Sequence, residues 1–303
     1  MKPAPAPPAP PPPFEVWALL SYVIGALFVG LLVYLGLRPG GSGPVFAWGA
    51  GRDLLQLGAL AMLGTGAIWS FLHRPFFRPG RRLPFLILVL VIGVGAYPFP
   101  YPSSHEGHPS STCFRLPFEG EWTVFWGGET KEDNLLVAYT ADRRFGLDFV
   151  VARESGSCFG KEVLAPADGL VVAAVDRFVD GAMDRVTPDV DPSGNRVVIQ
   201  VGEGEFAFLC HLQKGSILVR EGQQVKAGDP IGKVGSSGWS RMTPEPHLAI
   251  HLQDTAVAGK GEAIPWQFCD YTADGVRVEK GVPRGGIGPG GTLRGQRIAS
   301  LPR

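Results

Sequence analysis

Three apolar runs open the chain, and short alternating runs follow them. Residues 16–37 make 22 positions without a charge. Residues 54–72 make 19, polar only at Gln56, Thr65 and Ser70. Residues 83–99 make 17, with Pro84 placed for a first helical turn. A helix of about 20 apolar residues crosses a bilayer, so the pattern predicts about three transmembrane helices and a lipid bilayer as partner. Gly25, Gly30 and Gly36 in the first run, and Gly58, Gly64 and Gly66 in the second, would let helices approach closely.

Beyond residue 113 the period drops to two. Residues 121–126, 145–152, 170–175, 196–201, 205–212 and 247–252 read as strands between glycine turns. No stretch from 114 to 270 carries a helical period. The predicted class is therefore transmembrane α-helices followed by an all-β, sandwich-like core. The predicted organisation is a Pro/Ala-rich disordered tail over 1–14, a membrane domain over 15–100 and a linker over 101–113. A β core over 114–272 and a flexible Gly/Arg-rich tail over 273–303 complete it.

Alternation also assigns faces. In 205–212, Phe206, Phe208 and Cys210 share one face and Ala207, Leu209 and His211 the other. In 247–252, His247, Ala249 and His251 share a face opposite Leu248, Ile250 and Leu252. Two imidazoles flanking an alanine could bind a metal or a substrate. The same pattern also reads as a polar outer face.

Charge orients the chain. The formal net charge is zero, yet the first hundred residues hold only Glu15 and Asp53 as acids. Arg74, Arg78, Arg81 and Arg82 lie between the second and third runs, which places that link and the amino terminus in the cytoplasm. The domain after the third run then lies outside, in the periplasm or at the cell surface. Trp17, Tyr34, Trp48, Trp69 and Tyr97 fall near run ends, where aromatic belts form. No basic block with interleaved aromatics is present, which argues against nucleic acid as a partner. Residues 98–111 read as a Pro/Ser-rich tether, with His105 and His108 solvated. Cys113, Cys158, Cys210 and Cys269 match no Cys-x-x-Cys pair. They permit up to two disulfides or, equally, buried free thiols.

Several motifs converge on one family. They are Phe145-Gly146-Leu147-Asp148-Phe149, Val163-Leu164-Ala165-Pro166-Ala167-Asp168-Gly169, Gly194-Asn195, Leu209-Cys210-His211-Leu212, the glycine-rich run 225–235, Ser236-Ser237-Gly238 and Pro246-His247-Leu248. In this order, over 114–254, they resemble the β-sheet core of the LytM/lysostaphin-type zinc metallopeptidases, which cut peptide bonds of the bacterial cell wall. The resemblance implies a zinc ion held by the His and Asp of a His-x-Gly-x-Asp motif and by the second His of a His-x-His motif. Such a metal activates water, assisted by two further histidines.

Asp148 falls on the ligand aspartate, and His211 and His247 on the assisting histidines. Arg144 stands at the first ligand histidine and Ala249 at the second. Arginine keeps its proton and alanine has no donor atom. His251 lies one strand repeat, roughly 7 Å, beyond Ala249. Asp148, His247 and His251 are thus the set from which a zinc site would have to be rebuilt; otherwise no cofactor is expected. Arg144, four residues before Asp148, is within reach of a guanidinium–carboxylate pair in place of the ion.

The expected function is a membrane-anchored extracytoplasmic domain that acts at the cell wall with a degraded zinc site. It would bind peptidoglycan peptide or a cell-wall hydrolase. The alternative is an active zinc metalloendopeptidase that cleaves peptidoglycan cross-links with His211 and His247 as catalytic residues.

Overall fold

The three apolar runs are helices: α1 (Val16–Leu37), α2 (Arg52–Leu72) and α3 (Pro79–Ala96). Each is long and apolar enough to cross a membrane. This computed structural model describes residues 15–37, 44, 47–96, 103–130, 132–136, 140–151, 156–181, 191–238, 243 and 246–301. The Pro/Ala-rich start, the Trp48 side chain and residues 97–102 lie outside that set. Because α3 begins at Pro79, Pro84 sits beyond the first turn, where proline has no N–H to give the carbonyl four residues back.

Phe28, Ala59, Leu88 and Val91 form the centre of the helical unit. Only some of the small residues are used for close contact. A Cβ on Gly66 would fall 2.6 Å from the Trp17 ring, and one on Gly25 would fall 2.6 Å from Ile87. Gly30, Gly36 and Gly64 have nothing within 4 Å. One charged contact fixes the helix ends. Arg81 is buried and donates to both carboxylate oxygens of Glu15, at 2.7 to 3.1 Å. It also donates to the His73 and Pro75 carbonyls. The pair ties the residue before α1 to the first turn of α3, so these two helices begin on the same side.

The remainder is all-β, as the alternation predicts. The strands are β1 (Cys113–Phe114), β2 (Glu121–Trp126), β3 (Leu147–Val150), β4 (Glu162–Leu164), β5 (Gly169–Val175), β6 (Asn195–Gly202) and β7 (Glu205–Leu212). β8 (Gln224–Val225), β9 (Pro230–Lys233), β10 (Leu248–Gln253), β11 (Gln267–Ala273), β12 (Val276–Gly281) and β13 (Arg297–Ser300) follow. One sheet runs β1-β11-β13-β2-β3-β10-β7-β6-β5-β8, with β12 also on β11, and β4 pairs with β9 separately. Val171 of β5, Leu209 of β7, Ile250 of β10, Phe149 of β3 and Phe268 of β11 belong to one core cluster. Strands so far apart along the sheet share a core only because the sheet curls on itself.

Two expected boundaries change. The segment from Asp274 is not a tail: β12 pairs with β11, and β13 sits between β11 and β2 with Ile298 opposite Trp122. Asp274 and Gly275 both have positive φ, 52° and 80°, the geometry of a tight hairpin turn. That Asp-Gly signal lay in the sequence, but the glycine-rich stretch beyond it masked the strands. Nor are residues 103–111 a free tether. Ser103 Oγ donates to the Ala263 carbonyl, the Ser104 N–H and Oγ both donate to Glu262, and His105 Nε2 lies 3.2 Å from Asp254. Ser110 Oγ donates to Glu205 at 2.6 Å.

Cys113 and Cys269 form a disulfide across β1 and β11, with a sequence separation of 156. Cys158 and Cys210 are buried free thiols. A cross-link closing so long a loop restricts the unfolded chain strongly. Replacing Cys113 and Cys269 together by serine is expected to lower unfolding free energy by about 2–5 kcal/mol. The denaturant midpoint with and without reductant checks this. Cys158 and Cys210 should resist thiol reagents until the domain unfolds.

Candidate functional site

β10 lies between β3 and β7, and Ala249 stands opposite Asp148 on one side and Cys210 on the other. Leu248, Ile250 and Leu252 enter the curled core. The other face carries Asp148, Ala249 and Cys210, and it is not a polar outer surface. Ala249 packs with Val198, Phe208 and Cys210, and His247 and His251 are buried as well. β10 is therefore covered on both sides.

Simple alternation misplaces His211. It would put His211 beside Leu209, facing the core. Instead Leu209 and Leu212 both enter the core, and the register between β6 and β7 shifts between Asn195 and Val197. His211 has φ of 64°, a left-handed conformation that β-bulges use. The bulge turns His211 to the second face, where its ring centroid lies 4.5 Å from that of His247.

A polar knot holds this bulge. His211 Nδ1 is 2.8 Å from the Ser237 carbonyl, and Ser237 Oγ donates to the Leu212 carbonyl. The Asn195 N–H donates to Ser237 Oγ, and Asn195 Oδ1 accepts from the N–H groups of Arg177 and Phe178. Gly194 makes room: a Cβ there would lie 2.3 Å from the Ser237 carbonyl oxygen. A carbonyl only accepts, so Nδ1 of His211 carries the proton and Nε2 presents a lone pair. Burial drives the His211 pKa well below its ordinary value, reinforced by His247 and by the Arg143 charge. The ring is thus neutral.

Asp148 Oδ2 accepts from the Thr243 hydroxyl and lies 3.9 Å from His247 Nε2. The expected Arg144–Asp148 pair is replaced by a different arrangement. The strand begins at Leu147, and Gly146 N–H closes a turn on the Arg143 carbonyl, so strand spacing does not extend back to 144. Arg144 points to Glu106, 2.9 Å away, and lies over the Phe145 ring. Arg143 is the guanidinium near the histidines. It donates to Ser193 Oγ at 2.6 Å. Burial opposes its charge, but Asp142, Cys210, Asp148 and Asp191 together raise its pKa above the ordinary value.

His251 stacks on Phe208 at 4.8 Å and 16°, and its Nε2 has no hydrogen-bond partner among the described residues. Burial lowers its pKa well below the ordinary value, with Arg143 adding to the effect. These side chains do not fit a zinc ion. Of the three positions that the resemblance assigns to metal ligands, Arg144 is engaged with Glu106, Ala249 has no donor, and Asp148 accepts from Thr243. No group of three His, Cys, Asp or Glu side chains with metal-holding geometry occurs among the described residues. Of the sequence candidates, Asp148, His211 and His247 come together, Ala249 lies beside Asp148, and Arg144 turns away. Arg143, Ser193 and Thr243 were not singled out from sequence, and Ser237 entered only within the Ser236-Ser237-Gly238 motif. The adjacent pair Arg143-Arg144 was the available signal, since neighbouring residues in a turn diverge.

The sequence model of Peptidase family M23 matches residues 145–261. This segment is an M23-type domain. A putative peptidase M23 from Pseudomonas aeruginosa is similar at 26% identity, over 48% of this chain and 46% of that one, with a TM-score of 0.29. A zinc-containing peptidase from Vibrio cholerae shares 22% identity over 51% and 39%, with a TM-score of 0.33. The catalytic domain of the prophage-encoded M23 protein EnpA from Enterococcus faecalis shares 22% identity over 50% and 94%, with a TM-score of 0.33. The chain spans less than half the length of the Pseudomonas and Vibrio proteins. No curated protein matches it.

The neutral histidines set a pH dependence. Their folded pKa values lie below the unfolded value of about 6.5, so their contribution is complete above that pH. As pH falls below about 6.5, protons bind the unfolded chain first and stability drops. The slope is about 1.4 kcal/mol per pH unit for each such histidine. Denaturant titrations at pH 7.5 and 5.5 should show this loss. His251→Phe, which keeps a ring against Phe208, should remove about one histidine's share of the slope.

Proposed function

We propose that this chain is a membrane-anchored M23-type domain that binds at the cell wall and does not cleave it through zinc. Its partner in this reading is peptidoglycan peptide or a wall hydrolase. The observation that carries the reading is the pair of replaced ligand positions. Arg144 has no lone pair to offer a metal and is engaged with Glu106, Arg143 keeps a positive charge beside the histidines, and Ala249 brings only a methyl group. The remaining Asp148, His211 and His247 stay together but are buried, and a donor is missing at two of the three ligand positions that the resemblance assigns.

Two features support an extracytoplasmic domain. The arginines at 74, 78, 81 and 82 favour a cytoplasmic link between α2 and α3, which sends the chain after α3 outward. The Cys113–Cys269 disulfide belongs to an oxidising compartment.

Metal analysis of the full-length protein in detergent tests the reading. Well under one zinc per chain is expected after incubation with zinc and dialysis, together with no soluble fragments from purified peptidoglycan. Co-sedimentation with peptidoglycan, or capture of a wall hydrolase, should be retained. One tightly bound zinc per chain, lost in Asp148→Ala, would instead establish the metallopeptidase alternative.

A further inference from the structure

The guanidinium of Arg144 has an unusual partner. Its side chain is 5% exposed, whereas that of Glu106 is 62% exposed. The arginine is sunk in the β domain, and the carboxylate reaches it from the solvent side at 2.9 Å. Glu106 comes from residues 103–110, which lie across the domain like a strap. Ser103, Ser104 and His105 fasten one end, and Ser110 fastens the other through Glu205 and the Pro265 carbonyl. Between them a turn, closed by His108 N–H on the His105 carbonyl, holds Glu106 over the arginine.

A cleft of about 310 Å³ opens here, with Arg144, Phe145, Pro109, Trp266 and Val282 in its lining. Phe145 underlies the guanidinium at 5.2 Å. An exposed carboxylate in an ion pair is held weakly, since water competes for it. A buried guanidinium backed by an aromatic ring cannot turn to water and binds one planar carboxylate well. The receptor is therefore fixed and the occupant exchangeable. Glu129 on the rim disfavours a densely acidic ligand. One carboxylate on an otherwise neutral peptide fits best.

We infer that Arg144 and its apolar walls form a subsite for a peptide carboxylate, occupied in cis by Glu106 of the strap. This rests on the proposed function, in which position 144 supplies no metal ligand. The cis occupant competes at a high effective concentration, roughly millimolar for a short tether. Its removal exposes the subsite.

Isothermal titration calorimetry on the full chain in detergent tests the inference. Three acetylated pentapeptides serve as probes: Gly-Ala-Glu-Ala-Gly amide, Gly-Ala-Ala-Ala-Gly with a free carboxyl terminus, and its neutral amide. Glu106→Gln should bind a carboxylate peptide at least about tenfold more tightly than the parent chain. It should not bind the neutral amide. The first two peptides show whether a side-chain or a terminal carboxylate is preferred. Adding Arg144→Lys to Glu106→Gln keeps the charge but removes the planar fork, and should reverse the gain. No gain in Glu106→Gln with an unchanged melting temperature overturns the inference, as does equal binding of the neutral peptide. Stoichiometric zinc would overturn the proposed function, and it is measured separately from these titrations.

Discussion

β10 is buried on both faces, and much of the site's chemistry follows from that constraint. A strand with one wet face can leave its polar residues to solvent. One covered on both sides must find partners for them inside the protein. Leu248, Ile250 and Leu252 meet this requirement on the core side by being apolar. On the other side, His247, His251 and the neighbouring Asp148 and His211 have to be neutral or hydrogen-bonded. The bulge at His211, the Ser237 carbonyl and the Thr243 hydroxyl provide for this. The dry setting explains why His211 and His251 lose their protons so readily.

The two adjacent arginines divide the electrostatic work. Arg143 stays beside the histidines, and the carboxylates around it offset its burial. Arg144 leaves the cluster and meets Glu106. A single turn at Arg143–Gly146 makes this divergence possible. The result is a site in which charge is already compensated by protein groups. A divalent cation would have to displace those contacts as well as find ligands, and Ala249 offers none.

The helical unit solves a different problem with similar means. Its exposed surface is apolar, suited to lipid, and close contacts at Gly25 and Gly66 hold the helices together. The Glu15–Arg81 pair is the one strongly charged feature of that unit among the described residues that is largely shielded from solvent. It satisfies two backbone carbonyls as well, which stabilises an arginine at so buried a position.

The sequence by itself determined the three helices, the all-β class and the identity of Arg144 and Ala249 beside Asp148 in the chain's motifs. Each is a local property: the length of an apolar run, a period of two, or the presence of a donor atom at a motif position. The path of each side chain was another matter. His211 changed faces through a bulge that alternation cannot encode. The ends of the β domain were hidden because residues 276–300 carry little apolar signal until β13 finds its place between β11 and β2. Residues 103–110 looked like solvated linker because their hydrogen-bond partners lie about 95 to 160 positions away in sequence. The disulfide, likewise, joins cysteines 156 positions apart, and only folding brings β1 beside β11. Local chemistry fixed which side chains carry a donor atom, and long-range packing decided which partners Arg144, Asp148 and His211 found.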